Sequence, residues 1–154
     1  MPLSLQRTSP TQLVITRRFA APPAAVWDAH MQPELIRQWL CGDGGTTMPV
    51  CENDPRVGGL IHYEWREPDG SGFYLTGVFE LVDAPHRSIH RETMYLPDPL
   101  PEAQIETRFD PDGAGTLLTM TITLPDAASM DGMISSGMSG GMEGCYGMLD
   151  KIAA

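Results

Sequence analysis

DAASMDGMISSGMSGGMEGCYGMLDKIAA, residues 126–154, carries the signal that sets the architecture. Between Met130 and Ile152 the residues Met130, Ile134, Met138, Gly141, Met142, Cys145, Met148, Leu149 and Ile152 recur at steps of three and four. That is the period of a helix with one buried face. Ser135, Ser136, Ser139, Glu143 and Asp150 fall on the other side, so the spacing predicts one long amphipathic helix over 126–154. Pro125 stops the strand before it and Asp126 is a suitable N-cap. The anomaly is glycine at 132, 137, 140, 141, 144 and 147. Each interior glycine costs a helix about 1 kcal/mol relative to alanine, so packing and not local propensity must hold this segment. Gly137, Gly141 and Gly144 share a side, with Gly140 beside them. Such a stripe either admits close packing on a sheet or, with the adjoining methionines, roofs a cavity. Methionine suits both roles, being flexible and polarizable.

Upstream, the chain reads mostly as strands. Residues 1–11 form a polar lead-in, and a single domain is expected over 12–154. Gln12 to Phe19 is β-branched in its middle and reads as a first strand. Ala21-Pro22-Pro23 ends it and opens a short helix, Ala24 to His30. Pro33 starts a second, Glu34 to Leu40, stopped by Gly42. Strands are then expected at Thr46–Glu52, Leu60–Arg66, Phe73–Val82, Ser88–Tyr95, Ala103–Phe109 and Thr116–Leu124. Turn signals such as Pro68-Asp69-Gly70 and Asp110-Pro111-Asp112-Gly113 separate them. The expectation is α+β: a seven-stranded curved antiparallel sheet wrapped around a long C-terminal helix, with two short helices after strand one. Each strand has one apolar face, so the sheet is covered on one side only, and the terminal helix is the element long enough to cover it.

Composition excludes several function classes. The 154 residues suffice for one domain with a real core, and 42% hydrophobic with 19% charged residues is a soluble globular balance. A net charge of −10 with Lys151 as the one lysine argues against nucleic acid and anionic membrane surfaces. Cys41, Cys51 and Cys145, odd in number and widely spaced, read as free thiols of a reducing compartment. The first residues lack the charged and apolar regions of a signal peptide, and no apolar run approaches membrane-spanning length. The expected location is the cytoplasm.

Catalytic motifs are scarce. No nucleophile elbow, zinc-protease helix, paired-cysteine motif, phosphate loop or dinucleotide fingerprint occurs. His30, His62, His86 and His90 lack metal-ligand spacing, so neither metal nor cofactor is expected. The one suggestive pair is His90 and Glu92, which share a strand face with Ser88 and Met94. If that face is inward, an imidazole and a carboxylate point into an apolar interior as an acid–base couple. The alternation leaves the face open, because Ile89 and Tyr95 favour one side and Met94 the other.

Several segments, in this order, resemble one known family. They are Arg18-Phe19-Ala20-Ala21-Pro22 with Val26-Trp27-Asp28-Ala29, the run Pro33 to Trp39, and Val50 to Gly59. Pro68-Asp69-Gly70, Ile89-His90-Arg91-Glu92, and Ser136 to Met142 with Tyr146 and Leu149 complete the set. The chain resembles the helix-grip fold of the START/SRPBCC superfamily of ligand-binding proteins, and within it the family of the activator of heat-shock protein 90 ATPase homologues. Relatives often carry a second tryptophan and Gly-Pro after Trp39; here the sequence is Leu40-Cys41-Gly42. The resemblance implies a cavity between sheet and helix that holds a small, mostly apolar molecule, lipid-like or aromatic. Trp39, Tyr63, Trp65, Phe73, Met120, Met138, Met142 and Tyr146 are the expected lining, with His90 and Glu92 as polar contacts. A charged ligand is disfavoured because the chain is acidic and offers the pocket few cations. Two alternatives stand beside the binder: an enzyme on the same fold moving a proton through His90 and Glu92, and a chaperone-accessory protein. Homodimerisation is compatible with this fold class.

Overall fold

A computed structural model describes residues 3–42 and 44–153; Met1, Pro2, Asp43 and Ala154, the ends of the expected lead-in and terminal helix among them, lie outside the described residues. The strands are β1 (Ser4–Ser9), β2 (Gln12–Phe19), β3 (Thr47–Asn53), β4 (Leu60–Arg66), β5 (Gly72–Asp83), β6 (Arg87–Tyr95), β7 (Ala103–Asp112) and β8 (Gly115–Thr123). They form one antiparallel sheet in the order β1-β2-β8-β7-β6-β5-β4-β3. Consecutive hairpins build the run from β3 to β8, and β8 returns to pair with β2. Helices α1 (Pro23–Met31) and α2 (Pro33–Trp39) lie between β2 and β3, each opened by a proline at its first turn. Helices α3 (Ala127–Ser135) and α4 (Met138–Ala153) follow β8.

Period-two alternation sends one face of the sheet into the core. Leu13, Ile15, Arg17 and Phe19 are buried on β2, Ile61, Tyr63 and Trp65 on β4, and Ala103, Ile105, Thr107 and Phe109 on β7. The core has two lobes. Met130 of α3 packs with Leu13, Ile15, Ile105 and Ile122, whereas Tyr146 and Leu149 of α4 join Phe19, Val26, Ile36 and Leu118.

Two expectations about the elements themselves change. The sheet has eight strands and not seven, because Ser4–Ser9, expected as a lead-in, pairs with β2 from Ser4 against Thr16 to Ser9 against Gln12. β1 is a mostly exposed edge strand, so polar residues such as Gln6 and Arg7 hide its alternation and discourage further pairing. The terminal segment is also two helices and not one. Ser136 closes α3 and Gly137 follows at φ +80°, a left-handed conformation that glycine adopts without penalty, so α4 begins anew at Met138.

The remaining glycines do not pack closely on the sheet. A Cβ built at Gly132, Gly140, Gly141, Gly144 or Gly147 meets nothing within 4 Å apart from the helix's own backbone. Nor do Glu143 and Asp150 form a solvent face. Arg17, 4% exposed on the inward face of β2, donates from Nε to Glu143 Oε2 at 2.9 Å and from its terminal nitrogens to Asp150 at 2.8 and 2.9 Å. The two carboxylates lie seven residues apart, two turns of helix, and so meet one guanidinium. The same guanidinium sits 4.8 Å from the Phe19 ring centroid. Burial opposes the charge on Arg17, but the bonds to Asp150 and Glu143 outweigh burial and hold its pKa above the ordinary value. Hydrogen bonding from Arg17 in turn holds Glu143 below its ordinary 4.5, against partial desolvation.

Gly144→Ala is expected to stabilise the domain by about 0.5–1 kcal/mol, whereas Gly137→Ala destabilises it by about 1–2 kcal/mol through the left-handed backbone. Urea midpoints of the two variants, moving in opposite directions from wild type, check this. Glu143→Gln is expected to cost about 1–2 kcal/mol, reduced from a fully buried pair because the carboxylate is partly solvated. Since the folded-state pKa of Glu143 is depressed, its contribution is complete above pH 4.5 and is lost as pH falls through the lowered value. The wild-type advantage over Glu143→Gln in urea melts should therefore be present at neutral pH and shrink in acid.

Candidate functional site

Between α4 and the buried face of the sheet lies a cavity of about 620 Å³. The sheet supplies its floor, α2 and α4 its sides. On β6 the inward residues are Ser88, His90, Glu92 and Met94, which resolves the face that the sequence leaves open. Their register explains the grouping. Ser88 lies opposite Thr107, which lies opposite Met120, so three strands in a row contribute one floor strip. Glu92 lies opposite Gly77 and Ala103, two residues with little or no side chain, and so stands clear above the sheet.

All the expected lining residues border this cavity: Trp39, Tyr63, Trp65, Phe73, His90, Glu92, Met120, Met138, Met142 and Tyr146. Aromatic contacts fix their rings. Trp39 and Tyr146 stack at 5.5 Å, Trp65 and Phe73 at 4.9 Å, and Tyr63 meets Trp65 edge-on at 5.8 Å. Gly141 also borders the cavity, so part of the glycine stripe edges the hollow and none of it buttresses the sheet.

The polar groups are few and specifically placed. His90 Nε2 lies 2.7 Å from Glu92 Oε1, and both side chains are about a fifth exposed, at 18% and 23%. An ionised carboxylate only accepts, so the imidazole donates. The pair can pass a proton between an imidazole and a carboxylate beside a bound molecule. Tyr63 donates its hydroxyl to Asn53 Oδ1 at 2.8 Å, and burial pushes its phenol pKa well above the ordinary value. Burial likewise raises the Tyr146 phenol, although Arg17 opposes this. Among the described residues no group of three His, Cys, Asp or Glu side chains converges as a metal site.

Several lining residues escape sequence reasoning. Thr107 and Phe79 stand in the inward phase of their strands and were legible by alternation. His30 was not, since a histidine near the end of a short helix signals nothing by itself. Its ring lies 5.0 Å from Trp39, 5.1 Å from Phe109 and 6.0 Å from Tyr146. Nδ1 is 2.8 Å from the Val26 carbonyl, while Nε2 is buried and has no partner. Burial drives the pKa of His30 down from 6.5 to about 4, the carbonyl bond resisting.

An antiparallel sheet closed on one face by a C-terminal helix, with a cavity between them, defines a helix-grip domain of the SRPBCC class. The chain belongs to the family described as Activator of Hsp90 ATPase homolog 1-like protein, whose model matches residues 20–154. Among solved structures it is similar to a protein of Rhodobacter sphaeroides at 32% identity and TM-score 0.92, over 99% of this chain and 97% of that one. A Mycobacterium smegmatis protein is 22% identical at TM-score 0.86, covering 99% and 98%. A Nitrosomonas europaea protein is 21% identical at TM-score 0.82, covering 96% and 97%. The latter two share the fold. No match was found among curated proteins. No described helix is long and apolar enough to cross a membrane.

His30 yields a pH signature. Its folded-state pKa is depressed, so its contribution is whole above pH 6.5 and is lost as pH falls towards about 4. The loss amounts to roughly 3 kcal/mol across that window. Urea melts of wild type and His30→Leu from pH 7 to 4.5 should show that part of the slope in wild type alone, and a ring-carbon NMR titration of His30 should show no protonation at pH 5.5.

Proposed function

We propose that this domain binds a small, mostly apolar molecule, lipid-like or aromatic, in the cavity between the sheet and the C-terminal helices. The observation that carries the reading is the cavity itself: about 620 Å³ remains unfilled by the chain's own side chains. That is the size of small-molecule sites, which run about 300–1,000 Å³, have apolar walls and carry a few polar groups that fix orientation. The wall here has that composition. Trp39, Tyr63, Trp65, Phe73 and Tyr146 supply rigid aromatic surface, and Met120, Met138 and Met142 supply surface that adapts to the guest. His90 and Glu92 are the orienting polar pair. Membership of a family on the SRPBCC fold, which commonly holds hydrophobic ligands, supports the same reading.

Native mass spectrometry of freshly purified protein is expected to show a small molecule released on activation. Met120→Trp, which enlarges a side chain bordering the cavity, should lower affinity for the neutral probe N-phenyl-1-naphthylamine about 10-fold, the loss of one well-buried apolar contact. Fluorescence titration reads the affinity, and a melting curve close to wild type shows that the fold is kept.

A further inference from the structure

Resting on the binding reading above, we propose that the molecule this cavity takes is a lipophilic amine, held as its ammonium by the free oxygen of Glu92. The argument comes from sorting the polar atoms of the wall by what they still have to offer.

Most of the donors are already engaged with the protein. Trp39 Nε1 donates to the Ala29 carbonyl at 2.8 Å and Trp65 Nε1 to the Leu40 carbonyl at 3.3 Å. Asn53 Nδ2 donates to the Met31 carbonyl at 3.0 Å, and Tyr63 gives its hydroxyl proton to Asn53 Oδ1. Thr46 donates to Glu67 Oε2 at 3.0 Å, and His90 Nε2 to Glu92 Oε1 at 2.7 Å. What remains is mainly acceptors. His90 engages one oxygen of Glu92 and leaves Oε2 to a guest; Thr46 likewise leaves Glu67 Oε1. His30 must carry its proton on Nδ1, because the Val26 carbonyl can only accept, and its partnerless Nε2 is buried out of a guest's reach. The hydroxyls of Ser88, Thr107 and Tyr146 can serve in either sense.

Charge points the same way. Two carboxylates, Glu67 and Glu92, border the cavity, and among the described residues no lysine or arginine does. An anionic guest would meet like charge with no counter-ion. A neutral acceptor such as a ketone would find donors in the hydroxyls of Ser88, Thr107 and Tyr146 but would leave the free carboxylate oxygens unused. An ammonium on an apolar body meets a carboxylate, spare acceptors and aromatic faces, with the Phe79 ring 5.9 Å from that of His90. These interactions offset the desolvation of the charge, which an apolar wall alone could not do. The chain's net charge of −10 raises the local concentration of such a cation. The scarcity of cations in the wall therefore excludes anions and leaves cations as the charged class that fits.

Three probes of matched shape separate the outcomes: 2-naphthylmethylamine, 2-naphthylmethanol and 2-naphthoic acid, titrated calorimetrically into the full chain. The amine is expected to bind about 10-fold or more tighter than the alcohol, and the acid weakest. Glu92→Gln should bring the amine to within about threefold of the alcohol, and a melting curve close to wild type shows that the variant is folded. The preference should persist at about 0.5 M salt, where attraction to the overall charge is screened. An alcohol that binds as tightly as the amine, or an amine preference that vanishes in salt or survives Glu92→Gln, overturns this assignment and leaves the apolar-binding reading standing. Failure of all three probes to bind overturns both.

Discussion

The guanidinium of Arg17 holds the terminal helix to the sheet, and the hollow depends on where it does so. Its fork takes Glu143 on one turn of α4 and Asp150 two turns on, so both the position and the rotation of the helix are set by a single side chain. Tyr146, between the two acids in sequence, packs edge-on against Phe19 at 5.3 Å and stacks on Trp39. Arg17 is itself buried with its charge satisfied by two acids, which makes the arrangement specific: losing either leaves the buried cation with one partner.

Much of this was legible in the sequence, for identifiable reasons. Period-two alternation marks the inward residues of strands that face one core, so Tyr63, Trp65, Met120 and their neighbours were readable as one wall before any topology was known. Family resemblance then said what the wall faces. The misses share a cause: residues whose type contradicts their environment. Arg17 stands in phase with Leu13, Ile15 and Phe19, and a charge in that phase was a visible signal of a buried partner. Glu143 and Asp150 read as solvent-facing because a helical wheel cannot show which polar residues meet an arginine from elsewhere. β1 is polar on nearly every position, and pairing alone makes it a strand. The break at Gly137 was hidden by its own surroundings: with glycine so frequent in the segment, no single one stood out as the cap.

The site's chemistry follows from economy in hydrogen bonding. Ring N–H and amide donors tie the loops and short helices together, as when Trp65 reaches the Leu40 carbonyl and Asn53 the end of α1. With many of its donors spent on architecture, the wall keeps carboxylate oxygens and a few hydroxyls for a guest. On the amine-binding proposal, ligand preference is set partly by groups that never touch the ligand, through what they withdraw from it.

The joint between α3 and α4 has one more implication. Each segment is moored separately, α3 through Met130 in the lobe with Leu13 and Ile122, α4 through Leu149 in the lobe with Phe19 and Leu118. The joint itself, from Ser136 through Gly141, is mostly exposed and adjoins the hollow at Met138 and Gly141. Fraying there would open the edge of the hollow while both moorings stay fast, so access at this edge would follow a local equilibrium and not the cohesion of the domain. A continuous helix would have tied the two together.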